Sequence, residues 1–294
     1  MLFRKITIVG VGLLGGSIGL AAKRRKLAHE VAGFVRRERA IAECEKFGAT
    51  DYATTDLLAA VSDADLIILC TPLAQMRPLT ETFLPALKAN AIVTDVGSVK
   101  GGVVRELERL VAKAGAHFIG SHPMAGAEKT GIAAARADLF HEAVCVLTPT
   151  KKSRAPAVWK LDRFWKSLGA RILKLTPAQH DLFVSRTSHL PHIVAATLAN
   201  LVLNPANPPG QSRLCANGFR DTTRIASGSP EMWRDIAIAN HKNIAKSVDA
   251  FVFELRRFQQ AINRKDPQAI SRFFEMAKSR RDRWRANTDS ISSE

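Results

Sequence analysis

Histidines stand beside other polar side chains in two short stretches of the sequence. His122 lies in GSHPMAG (120–126), directly after an apolar run, while His189 and His192 lie in SHLPH (188–192). A histidine can accept a proton during catalysis, bind a metal ion, or make buried hydrogen bonds without any chemical role. The residues of these stretches do not decide among the three possibilities.

A metal site has the weakest support of the three. His189 and His192 would share a helix face, but no closely spaced carboxylate or cysteine completes a ligand set with the histidines. A metal-bound histidine also needs a partner that orients its ring, and the sequence identifies none. We therefore expect no metal. A purely structural role stays open for His189, in a helix that we expect Pro191 to kink.

A glycine-rich stretch near the amino terminus, VGVGLLGGS, carries the pattern Gly10-x-Gly12-x-x-Gly15 between a predicted strand and a predicted helix. This is the context that a dinucleotide-binding motif requires. Gly10 permits the tight turn, Gly12 lets the backbone approach a pyrophosphate, and Gly15 lets the helix pack closely on the sheet. The predicted cofactor contacts are Gly10, Gly12, Leu14, Gly15, Arg36, Arg37, Thr71 and Ser98.

The end of the second predicted strand indicates which dinucleotide is preferred. An NAD-binding protein places an acidic residue there, against the ribose 2′-hydroxyl. This chain has Arg36 and Arg37 instead, with no acid before Glu38. Paired arginines would hold the 2′-phosphate of NADP, which an acid would repel. We predict a preference for NADP over NAD; the alternative is that both arginines are simply solvated.

Short β-type runs alternate with helix-type segments over the first 175 residues. Strands are predicted at 5–9, 31–35, 65–70, 91–96, 116–120, 143–148 and 170–175. Such alternation indicates a mostly parallel sheet with helices on both faces, here a Rossmann-like, doubly wound α/β domain. Ser98 and His122 follow predicted strands, so we expect both at the carboxyl edge of the sheet, where such folds bind ligands.

The pattern changes after Thr176-Pro177, from which nearly every segment to about residue 285 has helical periodicity. We predict a dinucleotide-binding domain at 1–176, an all-α substrate and dimerisation domain at 177–286, and a disordered tail at 287–294. The tail prediction rests on the polar composition of NTDSISSE (287–294), which offers almost nothing to bury.

The composition is that of an ordinary globular protein with a basic surface. The formal net charge is +16, and residues 256–285 hold ten Lys and Arg against three Asp and Glu. A positive field gathers small anions, although a solvated basic surface explains the charge equally well. Charge alone would also permit nucleic-acid binding, but no nucleic-acid-binding motif is recognisable, so we expect no nucleic-acid partner.

Two features favour the cytoplasm. The four cysteines are widely spaced and show no CxxC pair, which is typical of reduced thiols. The uncharged run at 6–22 follows a basic start like a signal peptide, but it contains five glycines and is too short for a membrane span. We therefore expect neither export nor a membrane partner.

The motifs resemble the prephenate/arogenate dehydrogenase family of tyrosine biosynthesis. The resemblance rests on the glycine motif, DVGSVK (95–100), GSHPMAGAEKTG (120–131), SHLPH, and FRDTTRIA (219–226) followed by MWRD (232–235), in this order. It extends from about residue 4 to residue 260. It implies an NAD(P)-dependent oxidative decarboxylation, in which a ring carbon loses hydride, its hydroxyl loses a proton and the ring carboxylate leaves as CO2.

The resemblance also implies roles for individual residues. His122 matches the proton-accepting histidine, Ser98 the serine that aligns it with the nicotinamide, and Arg224 the arginine that binds a substrate carboxylate. Further substrate contacts are implied for His189, His192, Asp221, Trp233 and Glu128, although plain core packing stays possible for Trp233. Family members form homodimers through the helical domain, so a dimer is expected here.

Three departures from the commonest family pattern affect the expected activity. The acid after the second strand is missing, Ala127 stands where many relatives have a hydroxyl residue, and the chain leaves no room for a fused regulatory domain. We predict prephenate as the substrate, with arogenate as the alternative. Two other classes stay open: another dehydrogenase of this architecture, which would use a lysine as its acid–base, and a non-catalytic protein that binds NADP or nucleic acid.

Overall fold

A six-stranded parallel sheet forms the centre of the amino-terminal part of the protein. The structure is a computed structural model that describes residues 1–126 and 129–291, with side chains up to residue 285. The strands are β1 (Phe3–Val9), β2 (Ala28–Phe34), β3 (Tyr52–Thr54), β4 (Leu66–Leu69), β5 (Ile92–Asp95) and β6 (His117–Phe118), in the order β3-β2-β1-β4-β5-β6. This is the strand order of a doubly wound dinucleotide-binding fold, and the predicted fold class is confirmed.

Helices cover both faces of the sheet. Successive strand residues point to opposite sides, and the strands are apolar on both, so each face needs a covering layer. In β4, Leu66 and Ile68 join the core beneath α1 (Leu13–Arg24) and α6 (Ala155–Ser167). Ile67 and Leu69 join the opposite core. That core is covered by α3 (Leu57–Val61), α4 (Leu73–Phe83) and α5 (Gly101–Val111). The remaining helix of this region is α2 (Glu38–Phe47).

The sequence did not predict β3 or α3, which have three and five residues respectively. Neither is long enough to show a clear hydrophobic period. β3 exists because it pairs with β2, a contact between segments that are distant in the chain.

A second, three-stranded sheet holds β7 (Gly120–Pro123), β8 (Val144–Thr148) and β9 (Arg171–Lys174) in the order β7-β8-β9. β7 and β8 are antiparallel. The predicted strand at 116–120 is therefore divided: β6 ends at Phe118, the N–H of Ile119 still bonds to Val93, and the chain then enters the second sheet. His122 consequently lies inside β7, rather than after a strand of the main sheet as expected.

The chain is helical from Pro177 onwards, as predicted. The α-helices are α7 (Pro177–Val184), α8 (Leu190–Val202), α9 (Asn217–Thr223), α10 (Pro230–Ala239), α11 (His241–Asn263) and α12 (Pro267–Ile291). A π-helical turn at Ser185–His189 joins α7 to α8, and Pro191 lies in the first turn of α8. A π turn of this kind often accompanies a functional site.

Two compact units are present, Met1–Asn243 and Ile244–Glu294, so the division falls inside α11. The boundary near residue 176 stays a prediction. α12 extends to Ile291, into the segment 287–294 for which we predict disorder, and the last three residues lie outside those described. Within the described ranges, no helix is both long enough and apolar enough to cross a membrane.

Close packing of α1 against the loop after α2 depends on Gly19. A Cβ at this position would overlap the backbone carbonyl of Ala49. We expect Gly19→Ala to lower the free energy of unfolding by roughly 1–3 kcal/mol, as overpacked cores do. Urea unfolding measures this. The matched control is Gly102→Ala in α5, where a Cβ meets no atom within 4 Å and stability should hold or rise.

Candidate active site

A chain of hydrogen bonds connects His122 to two residues of α7. The Nδ1 atom of His122 lies 2.8 Å from Nε2 of His180, and Nδ1 of His180 lies 2.8 Å from Oδ1 of Asp181. All three side chains are buried. The sequence explains why α7 begins where it does: Thr176 caps it, in a reciprocal capping box with Gln179, and Pro177 follows. Helical rotation then turns His180 and Asp181 inward.

Asp181 also caps the amino end of α5. Its Oδ1 accepts the backbone N–H of Lys100 at 2.7 Å, and its Oδ2 accepts that of Gly101 at 2.8 Å. A carboxylate is favourable there because the first N–H groups of a helix lack intrahelical partners and carry partial positive charge. Asp181 therefore joins the helical region to the loop after β5, which carries Ser98.

A buried ion pair lies under the same loop. Nζ of Lys100 bonds to Oδ2 of Asp95, and both side chains are fully buried. Asp95 is further bonded to the N–H groups of Gly97, at 2.9 Å, and Ser121. The hydroxyl of Ser121 donates to the backbone carbonyl of Asp95 at 2.6 Å. These bonds hold β7 against the end of β5, and so fix the position of His122 relative to the main sheet.

His189, at the end of the π turn, extends the polar network toward α10. Its Nδ1 lies 3.3 Å from the side-chain amide of Asn240, which also donates to the backbone carbonyl of Asp181 at 2.8 Å. Trp233 packs edge-on against the His189 ring, and stacks on the His192 ring with 4.0 Å between ring centroids. The histidines at 122, 180, 189 and 192 thus belong to one connected group of contacts.

Burial lowers the pKa values of the inner histidines. The pKa of His122 falls well below 6.5, first because the ring is desolvated and then because His180, Lys100 and His189 lie nearby. Burial lowers the pKa of His189 to about 4. The pKa of His180 is also lowered by burial, although the Asp181 carboxylate opposes the shift. These rings are therefore neutral at pH 7, and a neutral imidazole can accept a proton.

The nucleotide-binding turn has room for a dinucleotide. Gly10 has a φ of +98°, and a Cβ there would come within 2.9 Å of the Cys70 carbonyl. A Cβ on Gly12 would meet no atom within 4 Å, so space is open beside this backbone. The hydroxyl of Thr71, next to Gly10, is buried without a hydrogen-bond partner among the described residues. The residues present thus fit a bound dinucleotide.

The structure places the other predicted residues as follows. Ser98 is half-buried, and its backbone lies close enough to His189 to raise the pKa of that ring in part. Arg224 is exposed in a 3-10 turn (Arg224–Ser227) that packs on α8. Asp221 is exposed and makes no hydrogen bond or ion pair within the described ranges. Glu128 and Ala127 lie outside the described residues.

The sequence analysis missed His180, Asp181, Asn240 and the Lys100–Asp95 pair. An available signal was the adjacent His180-Asp181 at the start of a helix, because a carboxylate beside a histidine often orients its ring. Asn240 and Asp95 carried no such signal. Across the side chains that can be described, no group of three or more His, Cys, Asp or Glu residues could hold a metal ion.

Comparison with known proteins gives the family. The model of the prephenate dehydrogenase nucleotide-binding domain matches residues 18–174, and that of the prephenate dehydrogenase dimerization domain matches residues 176–277. The chain is 36% identical to a prephenate dehydrogenase from Bacillus subtilis, over 94% of this chain and 75% of the relative.

Two solved structures are similar over nearly their whole length. One is prephenate dehydrogenase from A. aeolicus in complex with hydroxyphenyl propionate and NAD+, with a TM-score of 0.89 and 30% identity, covering 95% of this chain and 98% of that one. The other is Synechocystis arogenate dehydrogenase, with a TM-score of 0.82 and 32% identity, covering 96% and 100%. With its motifs, its fold and both domain matches in agreement, this chain belongs to the prephenate dehydrogenase family of NAD(P)-dependent oxidoreductases.

Proposed function

We propose that the protein converts prephenate to 4-hydroxyphenylpyruvate by oxidative decarboxylation. The observation that carries this proposal is the neutral, buried His122 in β7, which Ser121 holds against the end of β5 of the dinucleotide-binding sheet. The 36% identity to a protein named prephenate dehydrogenase supports the choice of substrate. So does the hydroxyphenyl propionate in the A. aeolicus complex, because this ligand carries a phenol ring and a carboxylate side chain.

In this proposal His122 removes the proton of the ring hydroxyl. The O–H bond breaks and an N–H bond forms on the imidazole, while the ring carbon loses hydride, the ring carboxylate leaves as CO2 and the ring becomes aromatic. The bound dinucleotide supplies the hydride acceptor. Ser98 aligns His122 with the nicotinamide, and Arg224 binds a substrate carboxylate as a guanidinium can. We propose further substrate contacts for His192, His189, Trp233 and Asp221, and the family motif implies one for Glu128.

Arogenate is the second candidate substrate. It differs from prephenate in its side chain, which is an amino acid instead of a keto acid. The 32% identity to Synechocystis arogenate dehydrogenase over 96% of this chain favours it. The residue at 127 and the carboxylate of Glu128, which bear on this choice, lie outside the described residues.

We propose NADP as the preferred cofactor. Arg36 and Arg37 are exposed just beyond β2, and Arg37 immediately precedes the first residue of α2. Neither arginine is ion-paired to a carboxylate within the described ranges, so both can bind the 2′-phosphate that distinguishes NADP from NAD. The carboxylate of Glu38, the first acid after β2, accepts a hydrogen bond from the Thr55 hydroxyl at 2.6 Å.

We also propose that the protein is a homodimer in the cytoplasm. The match of residues 176–277 to a dimerization domain supports the dimer. The four cysteines, none of which is in a disulfide, support a reducing compartment.

Replacing His122 tests the assignment of the base. With prephenate or arogenate and NADP+, the wild type should produce reduced cofactor, measured by its absorbance at 340 nm. His122→Asn should lower kcat by roughly 10²–10⁴-fold, the usual contribution of a general base, and leave the Kd of NADP+ nearly unchanged. Full activity in His122→Asn would show that another group takes the proton.

The pH dependence of kcat/KM tests the lowered pKa of His122. The base works when neutral, so activity falls as pH drops through its pKa. Because burial, His180, Lys100 and His189 hold that pKa well below 6.5, activity should persist at pH 6 and decline only at lower pH. An acidic limb centred at or above 6.5 would contradict the neutral, buried base.

Removing the paired arginines tests the cofactor preference. Arg36→Ala/Arg37→Ala should lower kcat/KM for NADP+ at least about tenfold, since a hydrogen bond between charged groups contributes about 1.5–3 kcal/mol. The value for NAD+ should hardly change. Arg39→Ala, which removes an exposed arginine from the first turn of α2, is the control. A wild-type preference for NAD+ would refute the proposal.

A further inference from the structure

The direction of each hydrogen bond in the His122–His180–Asp181 chain can be worked out from its end. Burial alone would raise the pKa of Asp181, but hydrogen bonds from His180 and from the N–H groups of Lys100 and Gly101 hold it below 3.8. Asp181 is therefore an ionised carboxylate, which only accepts hydrogen bonds. It follows that His180 donates Nδ1–H to Asp181.

The tautomer of His180 decides which nitrogen of His122 carries its proton. His180 is neutral, so with a proton on Nδ1 its Nε2 carries a lone pair and accepts. Nε2 of His180 lies 2.8 Å from Nδ1 of His122, which must then be the donor. His122, also neutral, therefore keeps its own lone pair on Nε2. That is the ring nitrogen not used inside the network, and it is available to a substrate hydroxyl.

We propose that His180 and Asp181 are positioning residues that hold His122 as the Nδ1–H tautomer, so that Nε2 is the atom that accepts the substrate proton. The proposal rests on the proposed function for its substrate, but the tautomer itself is a property of the free protein. When the hydroxyl proton reaches Nε2, the O–H bond breaks, an Nε2–H bond forms, and the imidazolium keeps donating Nδ1–H to neutral His180.

The charges around His180 decide whether this arrangement holds. If His180 were protonated on both nitrogens, it would donate to Nδ1 of His122 and force the proton of His122 onto Nε2, which would abolish the base. Burial and Lys100 keep His180 neutral, whereas Asp181 and Asp95 favour its charged form. His189, at the other side of the network, contributes to lowering the pKa of His122. The ion pair of Lys100 with Asp95 offsets the charge of both partners.

Asp181 itself cannot turn away from His180, because three donors hold it. Nδ1–H of His180 and the N–H of Lys100 share Oδ1, and the N–H of Gly101 occupies Oδ2. A Cβ at residue 101 would lie only 2.8 Å from Oδ2, which is too close, so the glycine allows the carboxylate to approach the backbone here. The carboxylate is thus fixed by backbone as well as by the ring that it orients.

Nitrogen-15 NMR of the free protein tests the tautomer directly. Long-range 15N–1H correlations distinguish protonated from unprotonated ring nitrogens, and the His122 signals are identified by their loss in His122→Asn. At pH 7.5 we expect His122 to be protonated on Nδ1 and unprotonated on Nε2. A proton on Nε2 instead would overturn the proposal, whatever the activity, and this measurement needs no further variant to fold.

Two variants of His180 test the effect on catalysis. His180→Leu removes the acceptor at similar volume and should lower kcat by about 10²-fold or more, by analogy with the loss of about 10⁴ when a triad histidine takes the wrong tautomer. KM should change little. His180→Gln offers a side-chain oxygen to Nδ1–H and should recover at least a tenth of the wild-type kcat. His117→Gln, on β6, is the matched control and should leave kcat unchanged.

Asp181→Asn tests the end of the chain. Asparagine keeps only one of the two acceptor oxygens that receive the backbone N–H groups, and its amide NH2 can donate to Nδ1 of His180. It therefore no longer enforces Nδ1–H on His180, so the NMR pattern of His122 should become mixed. The proposal would be refuted if kcat fell equally in His180→Leu and His180→Gln and the His122 tautomer were unchanged in all three variants. His180 and Asp181 would then act only through packing. Failure of wild-type turnover with a correct tautomer would refute the proposed function alone.

Discussion

The Asp181 carboxylate connects the parts of this protein that must act together. It caps α5, whose first residue follows the loop carrying Ser98, and it orients His180, which in turn bonds to His122. A helix start needs an acceptor for its free N–H groups, and a buried carboxylate needs donors. The helix N–H groups and the Asp181 carboxylate therefore satisfy each other's need for a hydrogen-bond partner. The helical region is thereby attached to the dinucleotide-binding domain through the same carboxylate that, in our proposal, orients the base.

Burial makes this attachment useful for chemistry. The His122 side chain is desolvated, so its charged form is disfavoured and the ring stays neutral at pH 7. The buried Lys100 adds to that effect, while its bond to Asp95 prevents an unpaired charge in the core. In a buried site with little water, the two ring nitrogens of His122 would ordinarily lack hydrogen-bond partners. Here the hydrogen-bond chain through His180 satisfies one nitrogen of His122, and the other is the nitrogen that we propose accepts the substrate proton.

The two sides of the site rely on different kinds of structure. The dinucleotide side depends on backbone: the turn at Gly10, the open space beside Gly12 and the unpaired hydroxyl of Thr71. The proposed substrate side depends on side chains from α7 to α10, where Trp233 contacts the rings of His189 and His192. Backbone contacts suit a cofactor shared by many enzymes, whereas side chains can adapt to one substrate. The difference explains why the glycine motif indicated its ligand by itself, whereas the substrate residues were indicated only by the resemblance to a family.

The sequence by itself determined the fold class, the nucleotide-binding turn and the family. Local signals were sufficient there: period-2 and helical runs, glycines in a fixed order, and motifs whose sequence of appearance is specific. Only the tertiary structure decided that His122 lies in the second sheet, and that hydrogen bonds connect it through His180 and Asp181 to Asn240. The contact of His122 with His180 joins residues 58 positions apart, and that of Asp181 with Asn240 joins residues 59 positions apart. No local period encodes such a pairing, because it arises only when separate elements pack and bury the groups together.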